Sequence, residues 1–235
     1  MTNRNPAGLR RADPAGESAM SACRHTARKR GLAPALAMLC AHALPELLPC
    51  GPLGHALVPT ELAVSANRVW VDGAVFARSA GSETTLARGT VVALRHVPER
   101  DHGSQPGDGG ELWRSGLVWL RLGLSEGLLD HCVGYLGGRR CGDTTLLRQQ
   151  MVMGSVADVL IEHQEAGAVL AEFEGAGLPL PEATATHLQR QLTSAGRTLL
   201  RLLGASGFVA GGPGETAYLS ELLAEAHTRP GSARE

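Results

Sequence analysis

Apolar residues recur every three or four positions over most of the second half of the chain. The first run covers about residues 111–138, and its apolar positions are Trp113, Leu117, Leu120, Leu124, Leu128, Cys132 and Tyr135. Three further runs cover about residues 145–173, about residues 182–203 and a short stretch after Gly214. This spacing places apolar side chains on one face of an α-helix. With short connections between them, the four helices are predicted to form an antiparallel four-helix bundle.

The same spacing predicts which side chains form the core of this bundle. They are Leu124, Leu128, Val156, Leu160, Leu192 and Leu199. Because the helical pattern is continuous apart from short Gly-rich and Pro-rich breaks, we expect no β-strand anywhere in residues 111–227.

The first 110 residues follow a different pattern. Residues 1–30 are polar and interrupted by proline and glycine, so we expect them to be disordered. Residues 31–110 combine a short apolar helix, valine-rich stretches typical of two or three strands, and an exposed loop, PERDHGSQPGDGG. The predicted fold is therefore mainly α: a short, partly β N-terminal segment, a helical domain over residues 111–227, and a tail over residues 228–235.

Composition and charge exclude several classes of function. The chain has 235 residues and a formal net charge of −1, and its basic residues form no long stripe, so we expect no nucleic-acid partner. Five cysteines without a C-x-x-C pair favour reduced thiols in the cytoplasm. The apolar run after "ARKR" has features of a secretory signal, but it is too short to span a membrane, and Pro34 and His42 interrupt it. We therefore expect a cytoplasmic protein without a membrane segment.

A glycine-rich loop separates the third and fourth predicted helices, in the stretch "LLGASGFVAGGPGETAYLSELL". Glycines such as Gly204 and Gly207 let the backbone turn with positive φ and approach a flat cofactor closely. Such a loop can present Glu215 as a base. It can equally be a plain helix connection, since a carboxylate in the first turn of a helix is favoured by the helix dipole.

An ordered series of motifs in residues 111–227 resembles the C-terminal helical domain of the acyl-CoA dehydrogenases. The stretch "LLDHCVGYLGGRR" is similar to the family pattern L-D-H-x-x-x-Y-L-x-x-R. Counting on without a gap, Gln150 and the pair Ala157-Asp158 fall where that family has a glutamine and an L-A-D signature. "LGASGF" resembles the family's G-G-x-G-[FY] loop, and Glu215 falls where the medium-chain type has its catalytic glutamate.

This resemblance implies a flavoprotein that desaturates an acyl thioester of coenzyme A or an acyl carrier protein, with FAD as hydride acceptor. It implies that Glu215 removes the α-proton and that Arg139 contacts the FAD diphosphate, often across a dimer interface. Gln150, Gly204 and Gly207 are the other implied cofactor-binding residues. From the residues alone, Arg139 is also suited to ending a helix, where cations are favoured, and Gln150 to a helix surface.

The N-terminal helical domain and full β-domain of that family do not fit into residues 1–110, which resemble a truncated remnant of them. Two functions stay open. The chain is either a short, FAD-linked acyl-CoA dehydrogenase homologue whose site another chain completes, or a catalytically inactive helical partner of such an enzyme. Both imply a homo- or hetero-oligomer.

Overall fold

The protein is described by a computed structural model that covers residues 18–79, 81–96, 105–106 and 109–228. Seven α-helices lie within these ranges, and they carry most of the fold. In chain order they are α1 (Ala19–Arg30), α2 (Leu32–Ala43), α3 (Thr60–Ser65), α4 (Gly110–Gly138), α5 (Gln150–Gly175), α6 (Glu182–Leu203) and α7 (Pro213–Ala226). The helices predicted from the apolar spacing correspond to α2 and to α4–α7. The mainly helical fold class is thereby confirmed.

The strands form two small sheets and one short hairpin. They are β1 (Leu47–Cys50), β2 (His55–Pro59), β3 (Arg68–Val71), β4 (Ala74–Ala77), β5 (Ser82–Leu86), β6 (Val91–Arg95), β7 (Gln105–Pro106), β8 (Arg140–Cys141) and β9 (Thr144–Thr145). One sheet has the order β1-β3-β4-β7 and the other β2-β6-β5, while β8 and β9 pair with each other. Only β1 and β3 pair in parallel among these described strands.

Alternation along the strands divides their side chains between two cores. Val69 and Val71 of β3 pack with residues of β1, β2, β6 and α3 in a core shared by the two sheets. Trp70, between them in sequence, points the other way into the large core formed with the helices. Successive residues of a strand face opposite sides, so each sheet can contact both cores. A turn at Asp72-Gly73 joins β3 to β4, and both residues have positive φ.

α4 is the central helix, and α1, α2, α5, α6 and α7 all pack on it. Its sequence is apolar on almost every side, which is expected of a helix surrounded by others. Glycines let two neighbours approach closely: a Cβ at Gly116 would lie 2.1 Å from Leu39 Cδ1, and one at Gly123 would lie 2.2 Å from the Arg24 carbonyl oxygen.

The contacts between helices fix their directions. The Ser125 hydroxyl of α4 meets the His163 ring of α5, while Gly137 near the end of α4 meets Leu147 just before α5 begins. α5 therefore runs antiparallel to α4. Arg121 contacts Gln189 and Cys132 contacts the Leu199 carbonyl, so α6 runs parallel to α4. The Trp113–His227 and Arg121–Ser220 contacts make α7 antiparallel to it.

The predicted disorder of residues 1–30 is wrong for residues 19–30, which form α1. The Ser18 hydroxyl caps this helix by accepting the Ser21 N–H at 3.0 Å. Arg24 pairs with Glu126, and both N–H···O contacts from Arg28 to Asp130 are 2.8 Å long. The polar residues of α1 are thus held by acids of α4. Residues 1–17 lie outside the described part of the chain, as do most of the predicted exposed loop and of the C-terminal tail.

Two details of the predicted bundle also need correction. Strands β8 and β9, each two residues long, form a hairpin whose turn contains Gly142 with φ of 61°. The prediction that residues 111–227 contain no strand is therefore wrong. In addition, α1 and α2 cover one side of α4, and the helical body is therefore larger than the four predicted helices.

Five of the six predicted core residues lie at least partly in the interior. Leu124, Leu128, Leu192 and Leu199 are buried, and Val156 is half-buried against the cluster that contains Leu128 and Leu199. Leu160 is 45% exposed, so its predicted burial is wrong.

All five cysteines are unpaired, and four of them are buried. This agrees with the prediction of reduced thiols. None of the described helices combines the length and the apolar character needed to cross a membrane.

Candidate functional site

The five predicted site residues lie at one end of the helical body. α4 and α6 end there, and α5 and α7 begin there. The helix ends and the turns between them contain Arg139, Gln150, Gly204, Gly207 and Glu215. Leu136, Leu146, Leu203 and Ala217, which come from the four helix ends and their turns, pack into one common cluster. We call this the loop end. These helix ends meet because α4–α7 run alternately up and down, so every second connection lies at the same end of the helical body.

Glu215 is half-buried in the first turn of α7, and its N–H donates to the Gly212 carbonyl at 3.2 Å. The helix start packs tightly on the preceding turn, since a Cβ at Gly214 would lie 2.0 Å from the Gly207 carbonyl oxygen. Within the described residues, no side-chain hydrogen bond or ion pair holds the Glu215 carboxylate.

The glycine-rich loop owes its course to two glycines with positive φ. Gly204 ends α6 with φ of 55°, and Gly211 has φ of 73° before α7 begins. A Cβ at Gly211 would lie 2.1 Å from Nη2 of Arg88, which reaches over from the turn between β5 and β6. Arg88 is thus a cation beside this loop. It was not predicted from the sequence, because it belongs to no recognised motif.

Arg139 is exposed directly after α4, and its guanidinium carbon lies 4.7 Å from the ring centroid of Tyr135 on the same helix. This is the geometry of a cation–π contact. Gln150 is exposed as the first residue of α5. Neither side chain is joined to Glu215 by a hydrogen bond among the described residues, so the fold brings the three to one end without linking them.

A groove of about 350 Å³ lies beside the loop, between the end of α1, the middle of α4 and the start of α7. Its loop wall consists of Gly211, Gly212, Pro213 and Thr216. Thr216, one position after Glu215, faces this groove, while Glu215 is outside its lining. The predicted base therefore does not line this groove.

A larger groove of about 670 Å³ lies between α2, α3 and the start of β3. Its charged residues are Glu46, Glu61 and Arg68, and none of the five predicted site residues lines it. Ligand pockets usually measure about 300–1,000 Å³ and enclose most of their ligand. The predicted site residues of this chain do not enclose such a pocket, and by themselves they do not fit a bound FAD.

Large apolar side chains are exposed around the loop end. Phe208, Val209 and Tyr218 come from the loop and α7, and Met151 and Met153 from the start of α5. Phe208 is 74% exposed and Met151 84% exposed. Apolar side chains clustered on a surface mark positions where another molecule binds. The loop end thus combines the predicted polar residues with uncovered apolar area.

A buried polar network in the bundle interior was not predicted. Arg121 donates to the Ser220 and Thr193 hydroxyls at 2.9 and 2.8 Å and to the Gln189 carbonyl at 3.0 Å. All these acceptors are neutral, and burial lowers the pKa of the Arg121 guanidinium to about 10. The sequence gives no signal for it, because a single arginine in an apolar helix resembles a surface position.

Ser125 and His163 form a second buried contact, with the hydroxyl oxygen 2.7 Å from Nε2 of the ring. A serine beside an imidazole can act as a nucleophile with its base. Burial lowers the pKa of His163 to about 4, however, and the adjoining cavity of about 20 Å³ holds little more than one water molecule. The pair therefore stabilises the helix packing, since no substrate can reach it.

No protein-family model matches the sequence, and no curated protein matches it. Solved structures do match the fold. The glutaryl-CoA dehydrogenase of Mycobacterium smegmatis superposes with a TM-score of 0.59 at 16% identity, over 89% of this chain and 75% of that one. The ChsE4-ChsE5 complex of Mycobacterium tuberculosis gives 0.57 at 15% identity, over 88% and 75%.

A further structure of the M. smegmatis glutaryl-CoA dehydrogenase, in complex with FADH2, gives a TM-score of 0.53 at 15% identity over 79% of this chain. The present chain spans 59% of the length of that protein. These similarities show that the chain has an acyl-CoA dehydrogenase-like fold, which confirms the fold expected from the motifs. The five site residues stay predictions.

Proposed function

We propose that this chain is a subunit of an acyl-CoA dehydrogenase-type assembly, and that its loop end forms one wall of a site completed by another chain. The observation that carries the proposal is the loop end itself. It gathers all five predicted residues and exposes large apolar side chains, yet these five residues do not enclose a pocket within the described chain. An incomplete, partly apolar wall is what a shared site requires of each subunit.

The proposed ligands are FAD and an acyl thioester of coenzyme A or an acyl carrier protein. Support comes from structures with a similar fold, which include a glutaryl-CoA dehydrogenase in complex with FADH2 and the ChsE4-ChsE5 complex. Arg139 is the proposed partner of the FAD diphosphate, since a guanidinium fork suits phosphate oxygens. Glu215 is the proposed base for the α-proton, and Gln150, Gly204 and Gly207 are the proposed neighbours of the cofactor.

The flavin proposal is tested by co-purification. The chain is expressed alone and together with a full-length acyl-CoA dehydrogenase homologue, and bound flavin is measured by its visible absorption. We expect stable flavin binding only in the complex, and Arg139→Ala should reduce the flavin content several-fold. Arg140→Ala is the matched control, because Arg140 is the next residue and is exposed as well. Equal flavin loss in both variants would contradict a specific role of Arg139.

The base proposal is tested by turnover of an acyl thioester in the same complex. Glu215→Gln keeps the size and hydrogen bonding of the side chain but removes the base. We expect flavin binding to persist while turnover falls at least about a hundredfold, the scale of a lost general base. Glu225→Gln, on an exposed part of the same helix, should leave turnover unchanged.

The second candidate is a catalytically inactive structural partner, and two observations favour it. Arg139 is stacked on its own Tyr135, and Thr216 rather than Glu215 faces the groove beside the loop. In that case the complex forms and its turnover does not depend on Glu215 or Arg139. A monodisperse monomer that binds no homologue in light scattering would refute both candidates. Residence in the cytoplasm is part of either proposal and is supported by the five unpaired cysteines.

A further inference from the structure

The outward side of α5 is apolar, although the solvent side of a surface helix is normally polar. The residues along it recur at helical spacing, and all of them are exposed: Met153, Gly154, Ala157, Leu160, Ile161, Gln164, Ala168 and Ala171. We call this surface the α5 face. Met153 is 50% exposed and Ile161 53% exposed, while Val159 and Leu170 on the opposite side of the helix are buried. α5 is therefore apolar on two sides, and only one of them packs against the described chain.

A row of acids borders the α5 face along one edge. Asp158, Glu162, Glu165 and Glu172 follow one another at intervals of four, three and seven residues, which places them on one side of the helix. None of the four forms an ion pair with an arginine or lysine of the described chain. Glu165 accepts a hydrogen bond at 3.1 Å from the neutral side chain of Gln191. The row is therefore a line of negative charge that this chain does not neutralise.

The environment of Glu162 shows that these acids act on one another. Burial raises the pKa of the Glu162 carboxyl group, and the charges of Asp158 and Glu165 raise it further. No arginine or lysine of the described chain acts in the opposite direction on this group. A cation placed beside the row would relieve the repulsion between the carboxylates. The edge of the α5 face thus favours a basic neighbour.

The same charges argue against a second copy of α5 as this neighbour. α5 contains five acids and no arginine or lysine, and its one histidine, His163, is buried. Two α5 helices packed against each other would therefore bring acids against acids without any opposite charge. Juxtaposed like charges disfavour association, whereas a partner of opposite charge is attracted. The charge pattern selects a different protein, with basic residues at the matching edge.

We propose that the α5 face binds a helix of another protein, whose apolar side is bordered by lysine or arginine. The apolar side chains of this helix cover Leu160 and Ile161, and its cations lie beside Asp158 and Glu162. Small residues such as Ala157 let the two helices approach closely. From Met153 to Ala171 the face is about 27 Å long, which suits a partner helix of about 20 residues. The proposal requires neither a flavin nor a catalytic activity and does not depend on the proposed function.

The test uses two fluorescein-labelled helical peptides of about 20 residues. Both have the same apolar side of leucine and alanine, but one has lysine at the bordering positions and the other has glutamate. Their binding to the full chain is measured by fluorescence anisotropy. We expect the lysine peptide to bind at least about tenfold more tightly than the glutamate peptide, because only the lysine peptide neutralises the acid row. This difference should shrink as salt is added, since salt screens exposed charges.

Matched variants locate the binding on α5. Asp158→Lys should weaken binding of the lysine peptide at least about fivefold, and Glu61→Lys, the same charge change at an exposed position of α3, should weaken it less than twofold. Ile161→Ser should also weaken binding at least about fivefold, whereas Val64→Ser, at an 81% exposed position of α3, should not. The proposal is overturned if wild type binds both peptides equally, if the two lysine variants lose equal affinity, or if Ile161→Ser binds like wild type. It is also overturned if light scattering shows a wild-type dimer that Ile161→Ser dissociates, because a second copy then covers the face.

Discussion

His163 makes the stability of this fold depend on pH. The side chain is 2% exposed, and burial lowers its pKa from 6.5 to about 4; Arg24 and Arg28 lower it as well, while Glu126 acts in the opposite direction. The unfolded chain therefore binds a proton between pH 6.5 and 4 that the folded chain does not bind. Above pH 6.5, His163 therefore does not lower the free energy of unfolding. As the pH falls from 6.5 toward 4, the unfolded chain takes up this proton and the free energy of unfolding decreases. From pH 7.5 to 5.0 the loss is about 2 kcal/mol.

The variant His163→Gln removes this proton linkage. Urea unfolding followed by circular dichroism at pH 7.5 and 5.0 should show that the variant loses about 2 kcal/mol less than the wild type over this interval. His227 titrates in the same direction but is present in both proteins, so the difference between them isolates His163. His131→Gln, at an exposed position of α4, is the control and should behave like the wild type. An equal loss in His163→Gln and wild type would refute the assigned cause.

Two further predictions concern packing and thiol access. Leu170 is 1% exposed, so Leu170→Ala should lower the free energy of unfolding by about 2–5 kcal/mol, whereas Leu160→Ala, on the same helix but 45% exposed, should cost less than about 1.5 kcal/mol. Equal decreases in the free energy of urea unfolding for the two variants would contradict the burial of Leu170 and the exposure of Leu160. Cys141 is the one exposed cysteine in the described chain, so Ellman's reagent should modify one thiol rapidly before unfolding and the other four only after it. Fast reaction of more than one thiol would contradict this packing.

The helices that the sequence predicts best are those with a single apolar face. Leu188, Leu192 and Leu199 share one side of α6, and all three are buried, as expected from spacing alone. α5 differs because apolar residues lie on several of its sides. Val159 is buried while the adjacent Leu160 is exposed. The sequence cannot show which side of such a helix meets the core, because that choice depends on where the neighbouring helices lie.

The helix at residues 19–30 could not be predicted for a different reason. Its sequence is polar, and the contacts that hold it are distant along the chain. Arg24 meets Glu126 and Arg28 meets Asp130, each pair 102 residues apart in sequence. The amino-acid composition of a short segment does not indicate ion pairs with residues so far away in sequence. Short-range propensity is a weak guide wherever tertiary contacts decide the structure.

The grouping of the predicted site residues could be anticipated, but their orientation could not. Four antiparallel helices with short connections must return every second connection to one end, and this brings Arg139, Gln150 and Glu215 together. Which way each side chain points depends on the rotation of its helix about its own axis. A difference of one residue, about 100°, separates Thr216 in the groove from Glu215 outside it.

The exposed apolar side chains of the loop end indicate which kind of molecule covers it. At the loop end, polar groups are open to water while large apolar side chains such as Phe208 and Met151 are uncovered. Burying apolar area requires another apolar surface of similar extent, which a second protein chain provides. A partner chain bound at the loop end should therefore cover Phe208 and Met151.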